Sequence, residues 1–307
     1  MKNEGILFMK HLLENCTLCP RACHANRVAG QRGYCGMGST MQAARAALHM
    51  WEEPWISGKK GSGAVFFSGC TLRCVFCQNY EIASGRSGRE ITEKDLTEIF
   101  LRLEAEGAAN LNLVTACHYV PLLIPALQKA KDKGLSLPVI YNSSGYENRE
   151  TLWLLEGLVD VYLPDFKYMD ASLAERYSHA KDYPERAREA LKEMVRQSGP
   201  CAFDEEGYII RGTIVRHLIL PGHTRDSRNV LNYLHSTYGN EIYISVMNQY
   251  TPLSHVDKYP EINRKITKRE YEKVLAYALS IGIENGFFQE GGTAEESFIP
   301  AFDCEGL

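Results

Sequence analysis

The chain has 307 residues, 45% of them hydrophobic and 23% charged, with 34 basic against 38 acidic residues and a net charge of −4. That length suffices for one large domain or two modest ones around a sizeable core, and the weakly acidic balance leaves no global positive field to recruit nucleic acid or anionic lipid. Met1 to Asn15 lacks the apolar stretch of a signal peptide and no run is long and apolar enough to cross a bilayer, so the expected setting is the cytoplasm, with neither a nucleic-acid nor a membrane partner.

In chain order, residues 1–60 form a cysteine-rich segment that ends in the turn-rich Ser57–Gly63, "SGKKGSG". Its Cys16, Cys19, Cys23 and Cys35 are spaced C-x2-C-x3-C-x11-C. Clustered cysteines in a reducing compartment point to metal or redox chemistry before disulfides. Four thiols so placed predict a closed metal site, either structural zinc or a second iron–sulfur cluster, with His24 as a competing ligand. A disulfide-stapled hairpin is the alternative. Residues 61–307 form the second unit, with a carboxyl-terminal extension, and have a different rhythm.

Short apolar runs there read as buried strands: Ala64–Ser68, Leu111–Thr115, Pro138–Asn142, Val159–Leu163, Gly212–Leu220 and Glu241–Met247. Helical patterns fill the gaps. Leu96, Ile99, Phe100 and Leu103 follow Thr92 on one face and stop at Gly107. Tyr119–Lys133 reads as helix that Pro125 should kink or delay, and Asp226 opens a helix carrying Val230, Leu231 and Leu234. Thr267 and Glu270 make a capping box before Tyr271, Val274, Leu275 and Ala278. About six strands alternating with helices predict an α/β fold around a parallel sheet, either an open doubly wound sheet or a (β/α) barrel. Both place chemistry at the carboxyl ends of the strands.

"SGCTLRCVFCQN" follows the first of these strands and supplies Cys70, Cys74 and Cys77 without a fourth cysteine. Three inert thiols meeting by chance in a polar, glycine-containing loop is the plain alternative. A loop this compact suits an iron–sulfur cluster, and three thiolates leave one iron open, the mark of a catalytic site.

Cys-x3-Cys-x2-Cys with Phe76 before the last cysteine resembles the signature of radical S-adenosylmethionine (SAM) enzymes. The resemblance implies a partial or full (β/α) barrel of that type. It also implies a [4Fe–4S] cluster whose open iron takes the amino and carboxylate groups of SAM, one-electron cleavage of the sulfonium, and a 5′-deoxyadenosyl radical that abstracts a substrate hydrogen. Gly63 to Gln289 is similar to the pyruvate formate-lyase activating enzyme and its relatives. "YNSSGYE" (Tyr141–Glu147) resembles the third-strand segment near the SAM ribose, and "LPDFK" (Leu163–Lys167) the fourth-strand segment. "VRHLILPG" (Val215–Gly222) and "VMNQYTP" (Val246–Pro252) resemble later strand ends that line the site. By residue type, Lys167 and Arg216 suit the SAM carboxylate, and Asn142, Ser144 and Gln249 suit its ribose or adenine edges. Asp165 suits a cation ligand or a partner for Lys167, and Phe76 packs beside the cofactor. Each residue has a plainer reading as a satisfied polar group at a strand end. "VTACHYVP" (Val114–Pro121) stands where many members carry Gly-Gly-Glu, resembling a side branch with Thr and His there. In that case Thr115 or His118 takes the SAM amino group, or His118 caps the following helix. Cys117 reads as a packed residue.

The implied activity is hydrogen abstraction from an unidentified substrate, with an electron donor of flavodoxin or ferredoxin type. The substrate is a partner enzyme given a glycyl radical, or else a peptide or small metabolite. A non-catalytic iron–sulfur or zinc protein, serving as electron carrier or binding module, is the competing class.

Overall fold

The computed structural model describes residues 9, 11–289 and 300–307; the first eight residues, on which part of the leader expectation rests, lie outside these. Ten strands join one sheet: β1 (Met41–His49), β2 (Ser62–Phe67), β3 (Arg89–Ile91), β4 (Leu111–Val114), β5 (Val139–Ser143), β6 (Val161–Pro164), β7 (Ala202–Phe203), β8 (Ile209–Leu218), β9 (Tyr243–Met247) and β10 (Gly286–Phe288). The helices include α1 (Tyr80–Ala83), α2 (Glu93–Ala105), α3 (Val120–Asp132), α4 (Arg149–Trp153), α5 (Ala171–Ser178), α6 (Tyr183–Ser198), α7 (Thr224–Tyr238) and α8 (Lys268–Ser280).

The spatial order is β10-β9-β8-β6-β5-β4-β2-β1-β3, with β7 on β8. From β2 to β10 neighbouring strands run parallel, whereas β1 runs antiparallel to both β2 and β3. The six expected strands are present, and the short β10 extends the parallel run. Among the described residues, β3 and β10 end the path without pairing to each other. The barrel is therefore partial.

Alternation along the strands sorts the two faces. Val65, Phe67, Leu111, Leu113, Val139 and Tyr141 pack outward against Leu96, Ile99, Phe100 and Leu103 of α2 and Leu123, Ile124 and Leu127 of α3. Val215, Ile244 and Val246 likewise meet α6, α7 and α8 through Leu191, Leu231, Leu234 and Val274. The concave face holds Ala64, Phe66 and Val114, then Ile140, Val161, Leu163 and Ile214.

The connection from β1 to β2 closes the amino-terminal end of this concavity. Ile56 is fully buried among Ile140, Val161 and Ile214. Trp55 packs its ring edge-on against Tyr243 at 4.9 Å, and its carbonyl accepts from Ile209 N. Asn110, just ahead of β4, donates to the Ile56 carbonyl at 2.7 Å.

The expected capping box forms between Thr267 and Glu270, and a second, not expected from the sequence, joins Thr92 and Asp95. Two expectations need correction. Helix α3 runs through Pro125 instead of starting after it: the donor that Pro125 lacks would have met Pro121, still in the first turn, where little of the ladder is lost. Helix α7 begins at Thr224, ahead of Asp226. Asp226 turns its carboxylate back to the backbone N–H of Met169 at 3.2 Å.

Candidate active site

The loop after β2 leaves the carboxyl end of the sheet. Gly69 starts it at φ +87°, and a Cβ there would lie 2.5 Å from Met37 Cγ and 2.9 Å from the Cys35 carbonyl, so only glycine fits. Arg73 also holds a left-handed φ of 55°. The three thiols lie within electrostatic reach of one another. Backbone N–H groups of Leu72 and Arg73 face the Cys70 sulfur at 3.4 and 3.5 Å, and the Ser178 hydroxyl donates to the Cys74 sulfur at 3.0 Å. The Ser178 contact favours a thiolate at Cys74.

Cys74 is pushed up to about 11 by burial, with Lys167 pulling it back. Cys77 is raised further by burial and by its neighbours Cys70 and Cys74. Thiols raised in this way, Cys74 buried and Cys77 half-buried, are poor free nucleophiles. Iron would neutralise them, and the three fit a cluster in this way. Phe76 is buried against Tyr250 at 6.1 Å and Tyr168 at 6.5 Å, which fixes the loop on the barrel rim.

Successive strand ends bring the remaining candidates towards this loop. Thr115, after β4, has φ 61°, a strained conformation for a β-branched residue, and its N–H donates to the Asn142 carbonyl at 2.8 Å. His118 is 1% exposed and does not cap α3. Its Nε2–H donates to the Ser68 carbonyl at 2.9 Å, and burial lowers its pKa to about 3, so the ring is neutral. Nδ1 has no partner among the described residues. Cys117 is buried beside Thr71.

After β5, Gly145 takes φ +74° where a Cβ would lie 2.3 Å from the Asp165 carbonyl. The Ser144 carbonyl accepts from Tyr183 at 2.9 Å. After β6, the Lys167 ammonium donates to Asp165 Oδ2 at 2.6 Å and lies within electrostatic reach of Cys74 and Cys77. Burial works against the charged form of Asp165, but Lys167 and Arg216 hold its carboxyl below the usual range. After β9, Gln249 accepts from Gln289 at 3.0 Å.

Arg216 projects from β8 into the concave face. It donates to Asn142 Oδ1 at 2.6 Å and Glu52 Oε2 at 3.0 Å and pairs with Asp165 at 3.3 Å. Glu52 and Glu53 belong to the connection that closes the amino-terminal end, and sequence reading did not pick out either. "WEEPW" carries no strand or helix period, so only tertiary structure turns these acids inward. Glu52 also accepts from Asn112 at 3.1 Å. Glu53 is 6% exposed with one carboxylate oxygen unpartnered among the described residues, as is Asn112 Oδ1. Burial raises the Glu53 pKa against the pull of Arg216. The concavity is thus lined by a polar cluster whose hydrogen-bonding capacity is partly unused.

The amino-terminal cysteines are all unpaired by disulfides, and Cys16, Cys19 and Cys35 are buried. His24 is turned aside, its Nδ1 2.9 Å from Asn15 Oδ1. Arg21, between Cys19 and Cys23, donates to the carbonyls of Thr71 at 2.9 Å, Ser178 at 2.9 Å and His179. This side chain joins the two cysteine groups.

A model of the radical SAM superfamily matches residues 64–234. An uncharacterized protein of Methanocaldococcus jannaschii is 30% identical over 277 residues, which is 88% of this chain and 75% of that one. The pyruvate formate-lyase-activating enzyme of Clostridium pasteurianum is 29% identical over 111 residues, 34% of this chain and 45% of the enzyme. Among solved structures, Streptococcus suis SuiB bound to S-adenosylmethionine matches with a TM-score of 0.52 and 14% identity, over 72% of this chain and 48% of SuiB. HydG, a maturase of the [FeFe]-hydrogenase, matches with a TM-score of 0.50 and 16% identity, over 77% of this chain and 53% of HydG. The chain spans about half the length of these last three proteins. The structural likenesses establish the fold, and the matched model spans more than half of the sequence. The chain belongs to the radical SAM superfamily and is an enzyme of that family.

Proposed function

We propose that Cys70, Cys74 and Cys77 hold a [4Fe–4S] cluster at which SAM is cleaved, and that the resulting radical takes a hydrogen atom from a substrate held in the concavity. Family membership implies both cofactors. When bound, the cluster supplies one electron to the SAM sulfonium, giving methionine and a 5′-deoxyadenosyl radical. The remaining work falls to the chain. Lys167, beside Cys74 and Cys77 yet shared with Asp165, offers a positive charge to the SAM carboxylate. Thr115 and His118 stand by the loop for the amino group, with the neutral His118 Nδ1 as the free acceptor. Ser144 and Gln249 remain for the ribose and adenine edges, and Phe76 braces the loop. Asn142 and Arg216 are hydrogen-bonded to Glu52, which supports assigning them to the substrate in place of SAM.

The observation that carries this reading is that Cys74 and Cys77, on the loop after β2, lie within electrostatic reach of Cys70 and of Lys167, which follows β6. Reduced, cluster-reconstituted protein mixed with SAM should release 5′-deoxyadenosine. Replacing Cys70, Cys74 and Cys77 with Ala should abolish it in a folded chain. Normal yield from that variant would refute the assignment, and no yield from the parent would favour a non-catalytic iron–sulfur or zinc protein.

Installation of a glycyl radical on a partner enzyme is the finer reading, supported by similarity to the Clostridium activating enzyme. A peptide or small metabolite is the second reading, favoured by the unpartnered Glu53 and Asn112 oxygens in the concavity, which suit a compact substrate with hydrogen-bond donors. Appearance of a radical signal on an added glycyl-radical enzyme separates the two. The proposal also includes a flavodoxin- or ferredoxin-like donor, a cytoplasmic setting, a metal centre at Cys16, Cys19, Cys23 and Cys35, and a division into residues 1–60 and 61–307. No described helix is long and apolar enough to cross a membrane.

A further inference from the structure

We infer that Arg21 and Ser178 are positioning residues for Cys74. Arg21 clamps the end of α5 to the three-cysteine loop, the Ser178 hydroxyl is thereby held on the Cys74 sulfur, and this hydrogen bond raises the midpoint potential of the iron–sulfur cluster. Both roles rest on the cluster assigned above to Cys70, Cys74 and Cys77. Loop and helix meet along a short seam. Val75 N donates to the Tyr177 carbonyl at 2.8 Å, and beside that bond the Ser178 hydroxyl donates to the Cys74 sulfur at 3.0 Å. Ser178 is fully buried, and its oxygen lies 2.8 Å from the hydroxyl of Tyr168, itself 1% exposed. Burial keeps the Tyr168 phenol protonated. The phenol donates to the Ser178 oxygen, which leaves the serine proton for sulfur.

Arg21 holds the seam shut. The last carbonyls of a helix have no partner within it, and α5 ends at His179 in a left-handed turn, φ 53°. The Arg21 guanidinium donates to the Ser178 carbonyl at 2.9 Å and to that of His179, and on the loop side to Thr71 at 2.9 Å and Leu72 at 3.3 Å. One planar fork thus joins two carbonyls of the helix end to two that lie between Cys70 and Cys74 in sequence. Its charge also faces the negative end of the helix dipole. Tyr34 packs against the fork, its ring centre 4.1 Å from the guanidinium carbon, and Arg73 of the loop lies 5.4 Å from the same ring. A lysine in that place would bring the charge without the fork.

The consequence falls on reduction. Thiolate ligands gain electron density when their cluster takes up an electron, and a donor aimed at the sulfur stabilises that state more than the oxidised one. The Leu72 and Arg73 amides that face the Cys70 sulfur come with the loop itself. The donor to Cys74 comes from α5, 104 positions away, and so depends on what holds that helix in place. Arg21, in the cysteine-rich segment, thereby gives residues 1–60 a hold on the potential of a site they do not ligate.

The test uses the full chain, reconstituted anaerobically with iron and sulfide. Redox titration follows the electron paramagnetic resonance signal that changes when SAM is added, which singles out the cluster of the three-cysteine loop. Ser178→Ala should move its midpoint potential to more negative values. Arg21→Lys keeps the charge and loses the fork, so it should reproduce that shift, and adding Ser178→Ala to it should change little more. Amide hydrogen exchange over residues 74–76 in the oxidised protein, read by mass spectrometry, should quicken about tenfold in Arg21→Lys as the Val75 bond loosens. An unchanged potential in Ser178→Ala overturns the hydrogen-bond role. A full second shift in the double variant, or unchanged exchange in Arg21→Lys, overturns the clamp. If Arg21→Lys lacks native circular dichroism, Arg21→Gln is read by the same comparisons. A parent without a SAM-responsive cluster would refute the assignment of Cys70, Cys74 and Cys77, whereas such a cluster with an unmoved potential refutes the roles of Arg21 and Ser178 alone.

Discussion

Glu147 closes the segment after β5, 1% exposed, with the Tyr141 hydroxyl donating to it at 3.3 Å. Burial lifts its pKa from 4.5 to about 8, while contacts with Ser143, Tyr141 and Cys117 pull the other way. The folded chain therefore keeps this proton at neutral pH, whereas the unfolded chain releases it above pH 4.5. Stability should fall as pH rises from the unfolded value to the folded one, at about 1.4 kcal/mol per pH unit. Glu147→Gln preserves the shape of the protonated acid and cannot ionise. Subtracting the variant from the parent cancels the other titrating groups. Urea unfolding at pH 5.5 and 7.5, followed by fluorescence, should show the parent losing roughly 2–3 kcal/mol relative to the variant over that interval. A difference that does not change with pH would mean that Glu147 is ionised in the folded chain, and the burial argument would fail.

Lys167→Met should weaken SAM binding by about 1–3 kcal/mol, the size of a charge-assisted hydrogen bond, read by anaerobic titration; unchanged affinity would place the carboxylate elsewhere. Arg216→Met strips the guanidinium from the partly buried Glu52 and Asp165 and should cost about 1–3 kcal/mol of stability in urea, with an unchanged urea midpoint counting against the network. Gly145→Ala meets both a left-handed backbone and the Asp165 carbonyl, so about 1–3 kcal/mol should be lost, and an unshifted urea midpoint would show that the turn relaxes freely.

The parallel strands were legible because a strand buried on both faces is a short apolar run, and six such runs fall where the strands lie. The cysteine loop was legible for a local reason as well: three ligands within eight positions need no tertiary information. Strand β1, "MQAARAALH", escaped because alanines and an arginine suit a helix, and only pairing with β2 and β3 makes it extended. The amphipathic α6, with Ala187, Ala190, Leu191 and Met194 on its buried face, carried a readable period that was not singled out. The partners of Lys167 and Arg216 depend on which strand ends converge. Adjacent sequence suggests Asp165 for the lysine, yet nothing local brings Glu52 to an arginine 164 positions away.

The ladder between β1 and β2, from Ala43 opposite Phe67 to His49 opposite Ser62, governs how the chain can be cut. A fragment starting at Gly61 would keep every residue of the three-cysteine loop yet leave one side of β2 as a bare edge. Unpaired backbone groups would then face solvent beside that loop, an invitation to edge-to-edge association. The same cut removes Ile56 from the floor of the concavity and the acids opposite Arg216. Exchange of amino-terminal segments between related chains would therefore have to carry the strand along with the cysteines. The cysteine-rich part is a graft by sequence and a structural wall by geometry.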